Sequence, residues 1–343
     1  MKALVLEDYG HLVYRDVAEP ELGPYDVLVA IRACGVCGSD IHGMDGRTGR
    51  RRPPIIMGHE ASGVVAGVGA SVENWKLGDR VTFDSTVYCG ECHYCRAGQV
   101  NLCDRRRVLG VSCEDYRMNG AFADFVAVPE RILYRLPDSL SFETAAFVEP
   151  VSIALHAVKR SGAREGGEAL VYGTGMIGLL VVQALRLAGV RRIVAIDNVQ
   201  SKLDLARTMG ASQTVHACLE NRAKALFDVL KDGPVDYAFD VVGTSETLAG
   251  SIQAVRKGGT VTLIGNLSPA VEVPLQTVVT REITLLGSCA CNGEYLESLR
   301  LLERGDVSVE GLLSAVAPLA DGAQWFYRLY QGEPGLMKVL LRP

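Results

Sequence analysis

The chain has 343 residues, 48% of them apolar, with 35 basic and 40 acidic side chains and a net charge of −5. That length is more than one hydrophobic core serves, which predicts two domains. The dispersed, slightly acidic charge excludes nucleic acid or an anionic membrane as the main partner.

No apolar run approaches the roughly 18 residues of a membrane span. The opening MKALVLEDYG has too short an apolar stretch for a signal peptide. The cytoplasm is therefore the expected compartment, and clustered cysteines are expected to bind metal rather than form disulfides. Up to about residue 148 the chain reads as short strands: ALVL, VLVAIRA, SGVVAGVG, RVTF and FADFVAVP, separated by Gly, Pro and Asp. Arg105 to Arg107 and the stretch from Arg47 to Arg52 read as solvated loops.

From about residue 150 the pattern changes. EPVSIALHAVKRSG predicts a helix, ALVYG a buried strand and MIGLLVVQALRLAG a nearly all-apolar helix. RRIVAID, VDYAFDVVG, TVTLIG and EITLLGS predict further strands. SKLDLARTMG predicts a helix, and so does SETLAGSIQAVRKGG, which is expected to stop at its paired glycines. Alternation of this kind means a parallel sheet covered on both faces. The chain is mixed from about 290 and ends in the strand-like MKVLLRP.

Gly173, Gly175 and Gly178, with Met176 and Ile177 between the last two, form G-x-G-x-x-G between a predicted strand and a predicted helix. In that context the first glycine allows a tight turn and the second lets a pyrophosphate approach the backbone. The third lets the helix pack on the strand, and the helix N-terminus supplies the anion site. Asp197 closes the next strand, 19 residues beyond Gly178. An acid there accepts from the ribose hydroxyls and repels a 2′-phosphate, which favours NAD over NADP. A glycine-rich turn that binds no dinucleotide is the competing reading.

Cys89, Cys92, Cys95 and Cys103 stand as C-x2-C-x2-C-x7-C. Four thiolates make a closed tetrahedral zinc site, which is structural because no position is left for a substrate. An iron–sulfur cluster is the chemical alternative. His93 sits among these cysteines as a bystander. ACGVCGSDIHG, residues 33–43, then needs other partners for Cys34 and Cys37. GHEASG supplies His59 and Glu60, and VEPVS supplies Glu149. Cys, His and Glu suit zinc, and a mixed set with an open position is what a catalytic zinc requires. A Cys34–Cys37 redox pair is the other possibility, without a thioredoxin-like context to support it.

CGVCGSDIH, GHEASG, KLGDRV, the four-cysteine lobe and GTGMIG followed by Asp197 stand in the order found in zinc-dependent medium-chain dehydrogenases. The chain resembles that family over essentially its whole length, and most closely its polyol, sorbitol dehydrogenase-like branch. The resemblance implies an α/β fold class: a doubly wound parallel Rossmann domain plus a mostly β GroES-like catalytic domain, with a cleft between them. The expected bounds are 150–289 for the Rossmann domain, and 1–149 with 290–343 for the catalytic domain and its zinc lobe. It implies Cys37 rather than Cys34 as zinc ligand, His59 as the second, and Glu60 bound directly or in exchange with water. Glu149 stands at the family's third ligand position and, as an acid, holds the metal directly or through water. Ser39 and His42 match the family's proton relay, and Asp40 its partner for the zinc-bound histidine.

Two zinc ions per chain and NAD are thus the expected cofactors. A small-molecule alcohol or ketone is the expected substrate, and a homo-oligomer, dimer or tetramer, the expected assembly. The implied reaction takes the proton of a secondary alcohol through Ser39 and His42 while hydride passes to NAD. Two features depart from sorbitol dehydrogenases. Gly43 follows His42 where they carry a tyrosine, and GSCACNGEY, residues 287–295, lacks an arginine they place near there. Both imply a differently shaped pocket. A threonine 3-dehydrogenase-like enzyme would need groups for a carboxylate and an ammonium, and a non-catalytic relative should lack an intact metal set. Cys34, Cys113, Cys218, Cys289 and Cys291 read as packed thiols and His156 as core; His11 and His216 read as surface residues.

Overall fold

The computed structural model describes residues 1–113, 116–218 and 227–343. The chain divides into two units: Met1–Glu149 with Tyr295–Gly305 and Val309–Pro343, and Pro150–Glu294 with Asp306–Ser308.

The first unit is built on a seven-stranded sheet. Its path runs Leu133–Arg135, Arg80–Phe83, Glu60–Val68, Asp26–Gly35, Lys338–Arg342, Leu313–Pro318, and Phe125–Pro129 also pairs with Asp26–Gly35. In DVLVAIRACG the period of two sends Val27, Val29, Ile31 and Ala33 into the core. The alternation gives out at Ala33–Gly35, where successive residues are all buried. There Glu60–Val68 lies on one side, with Gly35 opposite Glu60, and Lys338–Arg342 on the other, with Leu340 opposite Gly35. This crowded end of the sheet leads directly into the short helix Gly38–Gly43. Behind it sits an apolar core that includes Phe83, Met57, Leu109 and the edge-to-face pair Phe122 and Phe326, ring centroids 5.6 Å apart.

The second unit is a six-stranded parallel sheet in the order Gln213–His216, Arg192–Asp197, Glu168–Tyr172, Val235–Asp240, Val255–Leu263, Thr284–Gly287. In chain order that is 3-2-1-4-5-6, the doubly wound arrangement whose ligand crevice opens where the order reverses. The reversal falls between Glu168–Tyr172 and Val235–Asp240, and the glycine loop leaves the first of these strands. RIVAID is buried from Ile193 to Asp197, as a strand covered on both faces must be.

One element departs from expectation. The helix Ser245–Ala254 stops short of the paired glycines, and Val255–Leu263 is a strand. Thr244 caps the helix start through Thr247. At Val255 the backbone turns extended, with its buried side chain in parallel register with Val235. A sheet position outweighs the helical propensity of the Arg256–Lys257 segment. Gly258, at φ +68°, then lies within the irregular stretch of the strand rather than ending a helix. Among the described residues no helix is long and apolar enough to cross a membrane.

Candidate active site

The lobe of the first unit is held by its cysteines rather than by a core: the one-turn helix His93–Arg96 buries nothing. The sulfurs of Cys89, Cys92, Cys95 and Cys103 all lie within 4.8 Å of one another. Backbone N–H groups point at them: Cys89 N donates to Cys103 Sγ at 3.3 Å, Cys92 N to Cys89 Sγ at 3.4 Å, and Cys95 N to Cys92 Sγ at 3.5 Å. Such donors favour thiolates. The Glu91 N–H draws Cys89 down to about 6, and the Cys95 N–H lowers Cys92. Cys95, withdrawn from water, is pushed up to about 12, so four thiolates here require a cation among them. All-sulfur donors at this spacing fit a closed zinc site.

A second set lies at the crowded end of the sheet. Cys37 Sγ, a ring nitrogen of His59 and a Glu60 carboxylate oxygen are mutually within 4.8 Å. Cys37 caps the helix Gly38–Gly43: its sulfur accepts from Ser39 N at 3.5 Å, and Asp40 Oδ2 accepts from Cys37 N at 3.3 Å. Before His59, Gly58 adopts φ +95°, and a Cβ there would lie 2.9 Å from both Cys34 Sγ and Phe122 N. Only glycine lets the chain bend there into the site. Burial first, and then the Glu60 charge, push the Cys37 thiol up to about 12. Sulfur, imidazole and carboxylate suit zinc, and three protein donors leave a position open. The buried His59 Nδ1 has no hydrogen-bond partner, 3.5 Å from Asp40 Oδ1.

Charges around this set are paired. Lys338, 2% exposed, donates its ammonium to Glu60 and, at 3.1 Å, to the Val36 carbonyl. Burial disfavours that ammonium, but Glu60 and the neighbouring acids outweigh it and hold Lys338 above its ordinary 10.5. Gly35 leaves the space this pair fills, since a Cβ there would meet the Glu60 carboxylate and lie 3.4 Å from Lys338 Nζ. Arg51, expected in a solvated loop, is 2% exposed, and its Nη2 lies 2.8 Å from Asp40 Oδ1. Its burial corrects that expectation: a carboxylate inside the protein draws the guanidinium in after it.

Ser39 is an exposed residue whose Oγ lies 3.5 Å from His59 Nε2 and 3.2 Å from Arg51 Nη2. His42 lies three residues on, on the same side of the helix, and is exposed. Burial, and then Arg47, hold its imidazole below the ordinary 6.5 against the pull of Asp45. Glu149 opens the helix Val148–Ser161 and is not among the three clustered donors. Burial, and then Glu60, push its carboxyl well above the ordinary 4.5, with His59 opposing.

In the second unit Gly173 takes φ +95°, and the place of a Cβ at Gly178 is occupied by the Gly173 carbonyl. Gly175 caps the helix of Met176, Ile177 and Gly178, which runs to Leu187, and nothing lies within 4 Å of where its Cβ would stand. Asp197 is buried at its strand end; Oδ2 accepts from Thr174 N at 2.7 Å and Oδ1 from Val199 N at 3.0 Å. Thr174, inside the loop, is fully buried with its hydroxyl unpartnered. An open backbone at Gly175 and a helix N-terminus fit a pyrophosphate.

Sequence reasoning missed Arg51, Lys338 and Thr174. A lysine opening the apolar strand KVLLR was the one local signal for Lys338. Of the remaining cysteines, Cys34 and Cys291 are buried and Cys218 half-buried, but Cys289 is exposed, which corrects the expectation of a packed thiol there. The Cys113 side chain lies outside what is described. His156 is partly buried, with Nδ1 3.3 Å from buried Glu294, and His11 and His216 are exposed.

Residues 23–138 match the family model of the alcohol dehydrogenase GroES-like domain, and residues 177–304 that of zinc-binding dehydrogenases. The chain is 31% identical over 340 residues to D-xylulose reductase A of Aspergillus niger, covering 96% of this chain and 94% of that protein. It is 33% identical over 305 residues to L-idonate 5-dehydrogenase of Vitis vinifera, covering 86% and 81%. Among solved structures, a protein from Sinorhizobium meliloti with NADP bound, described as a zinc-binding dehydrogenase, superposes with a TM-score of 0.88 at 33% identity, covering 100% of this chain and 99% of that one.

Proposed function

This chain belongs to the zinc-dependent medium-chain dehydrogenases, in their polyol branch, and from that membership we propose that it interconverts a secondary alcohol of a polyol or sugar derivative and the corresponding ketone with NAD. The observation that carries the proposal is the cluster of half-buried Cys37 with buried His59 and Glu60, and Ser39 Oγ 3.5 Å from the His59 ring. Zinc held by these residues, with Glu149 joining directly or through water, would supply Lewis-acid stabilisation of negative charge on the reacting oxygen. NAD, held at Gly173–Gly178 and Asp197, would supply the hydride acceptor. The four-cysteine lobe would hold a second, structural zinc.

The protein's own part is charge and proton placement. Lys338 compensates Glu60 and Arg51 compensates Asp40, so among the three clustered donors Cys37 is left as the uncompensated acid. Ser39 accepts the alcohol proton, and His42, exposed and held neutral by its lowered pKa, delivers it to solvent. Asp197 selects NAD by accepting from the ribose and repelling a 2′-phosphate. Family membership also supports a cytoplasmic homo-oligomer, dimer or tetramer. The test is a panel of vicinal diols, polyols, sugar acids, sugar phosphates and threonine scored by NADH formation, with zinc content measured in the same preparation. Turnover of a polyol or sugar derivative with two zinc ions per chain is expected. Turnover of threonine alone, or one zinc in fully active protein, would overturn the proposal.

A further inference from the structure

Arg51 stands in a run of arginines whose neighbours, Arg50 and Arg52, are exposed, yet its own side chain is 3% exposed. Four hydrogen bonds lock its guanidinium. Nε and Nη2 reach Asp40 Oδ1 at 3.2 and 2.8 Å, Nη1 reaches the Arg50 carbonyl at 3.2 Å, and Nη2 also reaches Ser39 Oγ at 3.2 Å. The path exists because residue 43 is glycine: a Cβ there would stand 2.6 Å from Arg51 Cγ. Gly43 is not among the residues at positive φ, so this space, rather than the backbone, is what glycine supplies.

We propose that Arg51 is a positioning residue for the proton step, clamping the Asp40 carboxylate and the Ser39 hydroxyl together so that the direction of the Ser39 O–H is fixed. The proposal rests on the reading of Ser39 as proton acceptor. A guanidinium donates and never accepts, whereas a serine hydroxyl has one hydrogen and two acceptor sites. Arg51 occupies one acceptor site. Outside that bond the hydroxyl keeps one acceptor and one donor, the minimum for a group that takes a proton on one side and gives one up on the other, with the His59 ring the longer neighbour at 3.5 Å. Without the clamp the hydroxyl keeps only that longer contact, and a smaller fraction of its orientations is productive. Gly43 and Arg51 therefore act as a unit, the glycine making room for the arginine that aims the serine.

A double-mutant cycle on Arg51→Lys and Ser39→Ala tests this, using the zinc-loaded protein and its best substrate. Lysine brings a point charge that pairs with Asp40 but lacks the fork that also reaches Ser39. Arg51→Lys should lower kcat roughly 10- to 100-fold, part of the ~10²–10⁴ that a general base supplies. KM values and zinc content should stay near wild type. In the Ser39→Ala background the same change should cost nothing further. Equal losses in both backgrounds, or loss of zinc in step with kcat, would overturn the proposal. Full activity of Ser39→Ala would overturn the reading of Ser39 as well. Should Arg51→Lys fail to fold, Gly43→Ala, which displaces the arginine without removing a polar group, should reproduce the loss of kcat; a folded Gly43→Ala with wild-type kcat would overturn it.

Discussion

Replacing Lys338 by methionine removes a buried cation while keeping most of the side-chain volume. The ammonium and its carboxylate partner are 3% and 1% exposed, so little water can enter to replace the charge. Breaking a buried pair by deleting one member costs about 3–5 kcal/mol, because the other charge is left uncompensated. For a unit of this size each kcal/mol moves the midpoint by about 2–4 °C, so Lys338→Met should unfold roughly 6–20 °C lower after mild chelation. Glu60→Gln should also destabilise, since it strands the ammonium. The double variant should recover most of either loss, because both charges are gone and the pair's own net worth is small. Added zinc should raise the midpoint of Lys338→Met more than that of wild type, the freed Glu60 now being available to the metal. Thermal unfolding followed by circular dichroism on the four proteins decides it. A Lys338→Met midpoint within about 1 °C of wild type, or a double variant as unstable as the two singles summed, would refute the pairing argument.

Other outcomes follow from the same geometry. Cys37→Ser should abolish turnover while NAD binding, followed by fluorescence titration, persists. Cys34→Ser, a change in the core beside Gly58, should leave kcat nearly unchanged, and equal losses from both would restore the redox-pair reading. Burial and then Arg47 hold His42 below 6.5, so it stays neutral, and able to accept a proton, further into acid than an ordinary histidine. Arg47→Gln should therefore move the acid limb of the kcat profile to higher pH, and a limb that stays put would remove His42 from the proton path. Asp197→Ala should weaken NAD binding and gain little for NADP, while steady-state kinetics showing wild-type NADP use equal to NAD would reject the assignment of Asp197.

What the sequence made legible were features that local patterns carry. The glycine loop, the four-cysteine spacing and the strand–helix alternation are set by neighbours within a few turns of chain. Arg51 and Lys338 were not legible, since a charged side chain is buried only if the fold brings an opposite charge to it. Lys338 finds Glu60 across 278 residues, and Arg51 finds Asp40 through the room left at Gly43. The helix drawn to Gly258 and Gly259 failed for a related reason. The segment from Val255 is claimed by a parallel neighbour, Val235, that no local pattern reveals. Cys289 shows the converse: a residue type that is usually buried is exposed here.

The strand Lys338–Arg342 completes the sheet beside Asp26–Gly35 and brings the counter-ion of Glu60. Domains tend to fold as they emerge during synthesis. The second unit is nearly continuous from Pro150 to Glu294 and has all six of its strands once that stretch is made. The first unit, begun earlier, has to wait, its central strand unpaired on one side at the Cys34–Gly35 end and Glu60 without its cation. The unit that starts last is therefore able to finish first. An unpaired edge invites association with other chains, so during biosynthesis the exposure to misassembly falls on the catalytic unit. A stop codon in place of Lys338 would leave the nucleotide fold whole and the catalytic unit permanently in that unfinished state.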